Sequence, residues 1–276
     1  TLDGRITAAR AELRYSGGAF PNATVDMGAQ AAVAAYDLDA VETIGWNAMT
    51  NRPMEIPYRA PGAPTSIYAV ESVVDELCQE LDLAPLDVRL LNAARKGTLS
   101  AYGPTFNEIG LVATLEAAKA HPHYAAPLGP NQGRGLSCGF WFNFGGNTCV
   151  SLNINDDGTV GVVEGNPDIG GSRASISMMA AEELGVPYDK VRTVIADTSA
   201  LGFNDITDGS RVTFAVGLAT IKAARAAIAE MCRRAAKIWG IDADAGTWVD
   251  GAAVPAGPNA GTHPPMRLAE IAAVAG

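Results

Sequence analysis

Residues 148–196 read TCVSLNINDDGTVGVVEGNPDIGGSRASISMMAAEELGVPYDKVRTVIA. Thr148 to Ile154 alternates as a strand does, Asp156-Asp157-Gly158 supplies a hairpin turn, and Thr159 to Glu164 makes the return strand. A Gly/Pro loop, Gly165 to Gly171, leads into a helix from Ser172 to Leu184, and Lys190 to Ala196 reads as a further strand. The order β-β-α-β, with a long helix after it, argues for the α+β class, mixed sheets with packed helices, and against a purely parallel sheet.

Downstream, the loop Asp197 to Asp208 precedes an Ala-rich helix from about Ser210 to Trp239. Thr247 to Gly257 reads as a hairpin, and Arg267 to Val274 as the start of another helix. Upstream, Gly4 to Tyr15 alternates as a strand, whereas apolar Ala29 to Asp37 fits helix or strand. Pro53, Pro57, Pro61 and Pro64 make a rigid irregular segment. A helix capped by Thr65 or Ser66 follows, with Ile67, Val70, Val74, Leu77 and Leu81 on one face. Pro85 opens a shorter helix through Leu90, Leu91 and Ala94, closed by Gly97. The stretch HPHYAAPLGPNQG, 121–133, reads as a linker between a domain at 1–120 and a second at 134–276.

The chain has 276 residues, 48% hydrophobic, with formal net charge -10. That acidic surface and the lack of a basic patch interleaved with aromatics speak against nucleic acid. Anionic membranes are disfavoured too, and no membrane insertion is expected. Cys78, Cys138, Cys149 and Cys232 form no C-x-x-C pair and lie far in sequence from His121, His123 and His263, so no metal site is expected. Buried reduced thiols point to a reducing compartment and a cytoplasmic location. His121 and His123 read as solvated loop residues. The chain starts at Thr1 without a signal peptide, and Ala269 to Gly276 stop inside a helix, so both ends read as cut.

Two places share one piece of local chemistry. Gly170-Gly171-Ser172-Arg173 and Asp208-Gly209-Ser210-Arg211 each open a helix. A helix start exposes unpaired N–H groups, glycine lets a ligand approach, serine adds a donor and arginine adds a charge. Such a pair suits a phosphate or an acceptor-rich heterocycle; ordinary caps have the same composition. The run Phe140-Trp141-Phe142-Asn143-Phe144 alternates, which puts Phe140, Phe142 and Phe144 on one face, either as a core strand or as a wall stacking a flat substrate.

Thr50-Asn51-Arg52-Pro53, Tyr58-Arg59-Ala60-Pro61-Gly62-Ala63-Pro64, Ala69-Val70-Glu71, Asp75-Glu76-Leu77 and Pro85-Leu86-Asp87-Val88-Arg89-Leu90-Leu91-Asn92 resemble the xanthine dehydrogenase/aldehyde oxidase family of molybdenum hydroxylases. Gly133-Arg134-Gly135, Asp157-Gly158-Thr159, Asp168-Ile169-Gly170, Ala180 to Pro187 and Val191 to Thr198 are similar to its second molybdopterin-binding domain. The likeness covers nearly the whole chain.

The resemblance implies part of the catalytic subunit of an oxidoreductase that hydroxylates an aldehyde or aromatic N-heterocycle with oxygen from water. It implies a molybdenum–molybdopterin cofactor, the cytosine dinucleotide form being one option, with iron–sulfur clusters and FAD on other domains or subunits. Partners are then the rest of the molybdenum subunit and the iron–sulfur and flavin subunits. By the same resemblance, Arg59 lies beside the molybdenum ligands and Pro61 and Gly62 line the pocket. Ile169, Gly170, Gly171 and Ser172 fall on a pterin loop; Thr207, Asp208, Gly209, Ser210 and Arg211 fall on a second. Phe140 packs on substrate with Trp141 beside it. No catalytic residue is expected within the chain: the family's general-base glutamate lies in a glycine-rich motif that this sequence lacks. The family's Gly-Gln-Gly has Gly171 at the glutamine position, and its Arg-Gly-Phe-Gly is Arg59-Ala60-Pro61-Gly62 here. A non-catalytic phosphate- or pterin-binding module, or a structural subunit retaining the fold, is the alternative.

Overall fold

The computed structural model describes residues 1–21, 24–195, 197 and 199–274. Ala196, Thr198, Ala275 and Gly276, which end or follow expected elements, lie outside the described residues. The chain forms two compact units, Thr1–Phe142 and Asn143–Gly276. The division lies C-terminal to the stretch 121–133.

In the first unit, β1 (Ala8–Gly18) and β2 (Ala40–Met49) pair in parallel, from Ala8↔Ala40 onward, with a register shift between Ser16 and Gly18. Parallel pairing needs a crossover of a dozen or more residues, and the segment carrying α1 (Val25–Ala31) provides it. The Ala29–Asp37 stretch thus divides: the helix ends at Ala31, and Ala32 to Tyr36 form a buried turn. The expected strand at Gly4–Tyr15 sits four residues later at its start, and β2 has no counterpart in the sequence reading.

α2 (Ala63–Glu80) starts before the expected cap. Gly62, at φ 80, forms its N-cap and Pro64 sits in the first turn, while the Ser66 hydroxyl donates back to Ala63 O at 3.2 Å. Its buried face is also rotated: Glu71 and Cys78 are buried, and Leu77 is 46% exposed. The cause is an ion-pair network. Arg89, 0% exposed, donates to Glu71 Oε2 and Asp75 Oδ1, both at 2.8 Å. Glu71 also accepts from the Tyr36 hydroxyl and the Cys138 amide.

α3 (Pro85–Asn92) opens on Pro85 as the sequence implies, yet stops at Asn92 instead of Gly97. The Asn92 side chain accepts from Ile6 N and donates to Gly4 O, and Ala93 turns extended to bridge Tyr36. α4 (Leu111–Ala120) and the short α5 (Pro122–Ala125) complete this unit. α5 occupies part of the expected linker, and His121 Nδ1 accepts the His123 amide there.

In the second unit, β3 (Val150–Ile154) and β4 (Val160–Glu164) form the hairpin read from the sequence, and β5 (Val191–Ile195) joins β4 in parallel. α6 (Ser172–Leu184) is the crossover, ended by left-handed Gly185. The long helix differs at its start. Val212–Val216 form one π-helical turn, and α7 proper is Gly217–Trp239. β6 (Gly246–Val249), β7 (Ala252–Pro255) and β8 (Met266–Arg267) make a separate sheet, wholly antiparallel, followed by α8 (Leu268–Val274).

Val160, Val162, Ile176, Ala180, Leu184, Val216 and Ala224 knit β4, α6, the π-helical turn and α7 into one core. Each full burial of such an aliphatic side chain contributes about 1.5–3 kcal/mol. The span Val212–Trp239 is long and apolar enough to cross a membrane by length and composition. It also carries Lys222, Arg225, Glu230, Arg233, Arg234 and Lys237, and it buries Met231, Cys232, Ala235 and Ala236. This core holds the ends of β4 and β5 and the starts of α6 and α7 in place, which is where the candidate loops lie.

Candidate cofactor-binding loops

At the start of α6, Gly170 and Gly171 are both left-handed, with φ 66 and 82. A Cβ added at either would meet nothing within 4 Å. The glycines therefore answer to backbone conformation, and the space in front of them is open. Asp168 caps the helix: Oδ1 accepts from the Arg173 amide at 3.1 Å and from the Ser172 hydroxyl at 3.3 Å. That Arg173 N–H and the adjacent guanidinium hold the Asp168 carboxyl below the usual carboxylate range. The amides of Gly170, Gly171 and Ser172 have no partner among the described residues. They are three adjacent donors at the positive end of a 13-residue helix. Ile169, beside them, is 65% exposed.

The second loop is closed on itself. Gly209 and Ser210 are also consecutive left-handed residues, at φ 56 and 60. Here glycine is needed for packing, since an added Cβ would lie 2.2 Å from Phe144 Cβ. The Gly209 amide donates to its neighbour's carboxylate on Asp208, and Gly209 O accepts from Phe144 N at 3.0 Å. The Asn143 side chain donates to Ser210 O at 2.9 Å.

Arg211 points inward. It is 0% exposed and donates to the carbonyls of Gly145, Asn147, Asp205 and Ile206 and to Thr148 Oγ1. The expectation that its charge meets a ligand does not describe this side chain. It ties the 145–148 and 205–206 segments together as the loop's internal strut.

The two loops are joined by a residue that the sequence reading passed over. Asn166 donates from Nδ2 to Asp205 O at 3.0 Å and to Thr207 Oγ1 at 2.9 Å. Its signal was its place, directly after a strand and between Gly165 and Pro167. The loop that begins at Gly165 and the Thr207–Ser210 loop are thereby tied together.

In the first unit, Arg59 is exposed and precedes Ala60, a non-glycine residue at φ 51. Gly62 is packed tightly: an added Cβ would lie 2.2 Å from Thr24 O, and the Tyr15 hydroxyl donates to Gly62 O at 2.6 Å. Strained left-handed Ala60 between exposed Arg59 and clamped Gly62 is a local feature of the kind found at binding loops. Pro61 and Gly62 are partly buried.

The aromatic run is irregular backbone, not a strand. Phe140 packs on Tyr102 (5.5 Å between centroids) and Phe106 (5.7 Å), and Trp141 stacks on Phe142 at 4.5 Å. Phe144 leaves this cluster and is 66% exposed, because it covers Gly209 instead. Tyr102 and Phe106, either side of a Gly103-Pro104 turn, were missed; aromatics flanking a turn were their only mark. Among the described residues no group of three or more His, Cys, Asp or Glu is placed to hold a metal ion. Two surface concavities, lined by residues such as His123 and Arg134 and by Ile6 and Leu77, include none of the candidate residues.

Residues 1–93 and 109–276 each match the family model described as a molybdopterin cofactor-binding domain. The chain belongs to the molybdopterin cofactor-binding domain family. The matched domains include the Gly170 and Gly209 loops and the Arg59 segment. The xanthine dehydrogenase molybdenum-binding subunit of Escherichia coli O157:H7 is 30% identical over 194 residues, 63% of this chain and 25% of that protein. The nicotine 6-hydroxylase large subunit of Paenarthrobacter nicotinovorans is 27% identical over 257 residues, 81% of this chain and 31% of that protein. Among solved structures, quinoline 2-oxidoreductase from Pseudomonas putida 86 superposes with TM-score 0.77 at 21% identity, covering 99% of this chain and 38% of that one. That likeness speaks for the molybdopterin-binding fold. The chain spans between a quarter and a third of the length of these two curated relatives.

Proposed function

We propose that this chain is the cofactor-cradling part of a molybdenum hydroxylase subunit that oxidises an aldehyde or an aromatic N-heterocycle. The observation that carries the reading is the row of unpartnered amides at Gly170, Gly171 and Ser172, linked through Asn166 to the Thr207 loop. The residues fit the group: open space faces two left-handed glycines, and the donors are neutral N–H groups suited to the carbonyl, ring-nitrogen and phosphate acceptors of a pterin cofactor.

When bound, the molybdenum–pterin cofactor supplies two-electron oxidation of a substrate C–H bond with oxygen from water. The chain's own residues position it. Gly170, Gly171 and Ser172 donate backbone N–H bonds, Ile169 covers one side with apolar surface, and Thr207, Asp208, Gly209 and Ser210 frame the other loop. Arg211 acts behind that loop by fixing its carbonyls. Arg59, with Pro61 and Gly62, forms the segment proposed to flank the metal. Phe140 and Trp141, backed by Tyr102 and Phe106, form the wall on which a flat substrate stacks. The general base is supplied from outside these residues, and electrons leave to iron–sulfur and flavin partners. The dinucleotide form of the cofactor, cytosine among the options, depends on groups beyond this loop pair. A cytoplasmic setting belongs to the same reading.

The test is expression of this chain alone and of the assembled complex, each assayed for hydroxylation with an artificial electron acceptor. The reading expects turnover from the complex and none from the chain alone. Clear turnover by the isolated chain would refute the placement of the base.

A further inference from the structure

Asn166 donates twice from its amide nitrogen, so its carbonyl Oδ1 needs a donor. Asn166 is 2% exposed, and among the described residues Oδ1 has no partner. Two residues earlier, at the end of β4, Glu164 is 0% exposed. Its Oε2 accepts the Asn166 backbone N–H at 2.7 Å, and among the described residues its Oε1 has no partner. Two acceptors on one short segment are thus buried without a donor, an arrangement that costs free energy unless a proton is present.

Among the described residues no cation acts on the carboxyl. The charged group acting on it is Asp168, of like sign. Asp205 and Arg211, on the neighbouring loop and helix start, are engaged elsewhere: Asp205 with the Asn147 amide, Arg211 with carbonyls and a hydroxyl. A fully buried carboxylate facing one N–H and no cation is strongly disfavoured against its neutral form.

We infer that Glu164 is a neutral carboxylic acid in the folded protein and donates its proton to Asn166 Oδ1, directly or through one ordered water. It is a positioning residue: it fixes the amide that holds Asp205 and Thr207, and so the loop to Ser210. Its bearing on cofactor retention rests on the function proposed above; its protonation does not.

Burial pushes the Glu164 carboxyl up from the ordinary 4.5, and Asp168 adds to this. An acid whose folded pKa is raised favours the folded state fully below 4.5. That favour is lost as pH rises through the folded value, where the unfolded chain releases its proton first.

The test is infrared spectroscopy of the full-length subunit at neutral pH, with and without its cofactor, together with thermal denaturation across pH. The expected result is a protonated-carboxyl C=O band in wild type that is absent in Glu164→Gln. That variant, whose amide still supplies a donor, matches the wild-type melting midpoint below pH 4.5 and lies at or above it at neutral pH, because the decline that sets in above 4.5 is lost. Should E164Q not fold, Glu164→Asp shifts the band and assigns it. No such band, or an E164Q midpoint well below wild type at neutral pH, overturns the inference. A band present while a folded Asn166→Ala subunit keeps its full cofactor content upholds the protonation and counts against the function proposed above.

Discussion

The Asn166 side-chain amide donates to Thr207 Oγ1 at 2.9 Å, joining loops 41 residues apart in the chain. One side chain thereby couples the start of α6 to the approach to α7. Asn166→Ala removes this bond and leaves Asp205 O without that donor, at a cost of about 1–3 kcal/mol. The melting midpoint falls by roughly 2–4 °C for each kcal/mol. Thr207→Val costs less, and because the two residues share the bond, the double variant costs less than the sum. Thermal denaturation of the four proteins checks both statements.

The legible parts of the fold are those where burial is one-sided. The hairpin of β3 and β4 and the bounds of α6 follow from alternation, an Asp-Gly turn and a C-terminal glycine. β2 escaped notice because its residues are half-exposed or exposed throughout, so no period of two is imposed on AVETIGWNAM. The face of α2 was misread because a buried carboxylate, Glu71, displaces leucine from the core. For the candidate site, Gly170-Gly171 marked one loop and Gly209-Ser210 the other. What lay beyond sequence was direction: whether Arg211 faces out or in, and that Asn166 spans the two loops, depend on contacts 66 and 41 residues away.

Arg211 is predicted to be the more sensitive strut. Arg211→Met strands several buried carbonyls without donors, and the loss is at least 3 kcal/mol, about that of breaking a buried polar network. Arg211→Lys gives little rescue, because a single ammonium cannot reach acceptors arrayed around a planar fork. Chemical denaturation of both variants reads this, and a Lys variant of wild-type stability contradicts it.

Gly171 sits at φ 82 with open space before it. Gly171→Ala therefore pays only for backbone conformation, about 1–2 kcal/mol. Gly171→Gln, which restores the family's commoner residue, is destabilised by the same amount, because this backbone is left-handed here. Equilibrium unfolding checks the equality; a stabilised Gln variant shows that the loop relaxes to another conformation.

In the first unit, Glu71 accepts from Tyr36, Arg89 and Cys138. Glu71→Ala leaves the buried Arg89 with Asp75 as its remaining carboxylate partner, and stability drops by about 3–5 kcal/mol. Glu71→Gln, which keeps the shape, loses less. Unfolding monitored at the Tyr36 ring distinguishes loss of this unit from loss of the second.

The most direct test of the cradle is the molybdenum-to-protein ratio, measured by elemental analysis, of the full-length subunit purified from its native assembly. Wild type is expected to hold molybdenum near one per subunit. Asn166→Ala, folded by circular dichroism, is expected to have lost most of it. A folded Asn166→Ala subunit with the full complement of metal, or a wild-type subunit with none, contradicts the cradle.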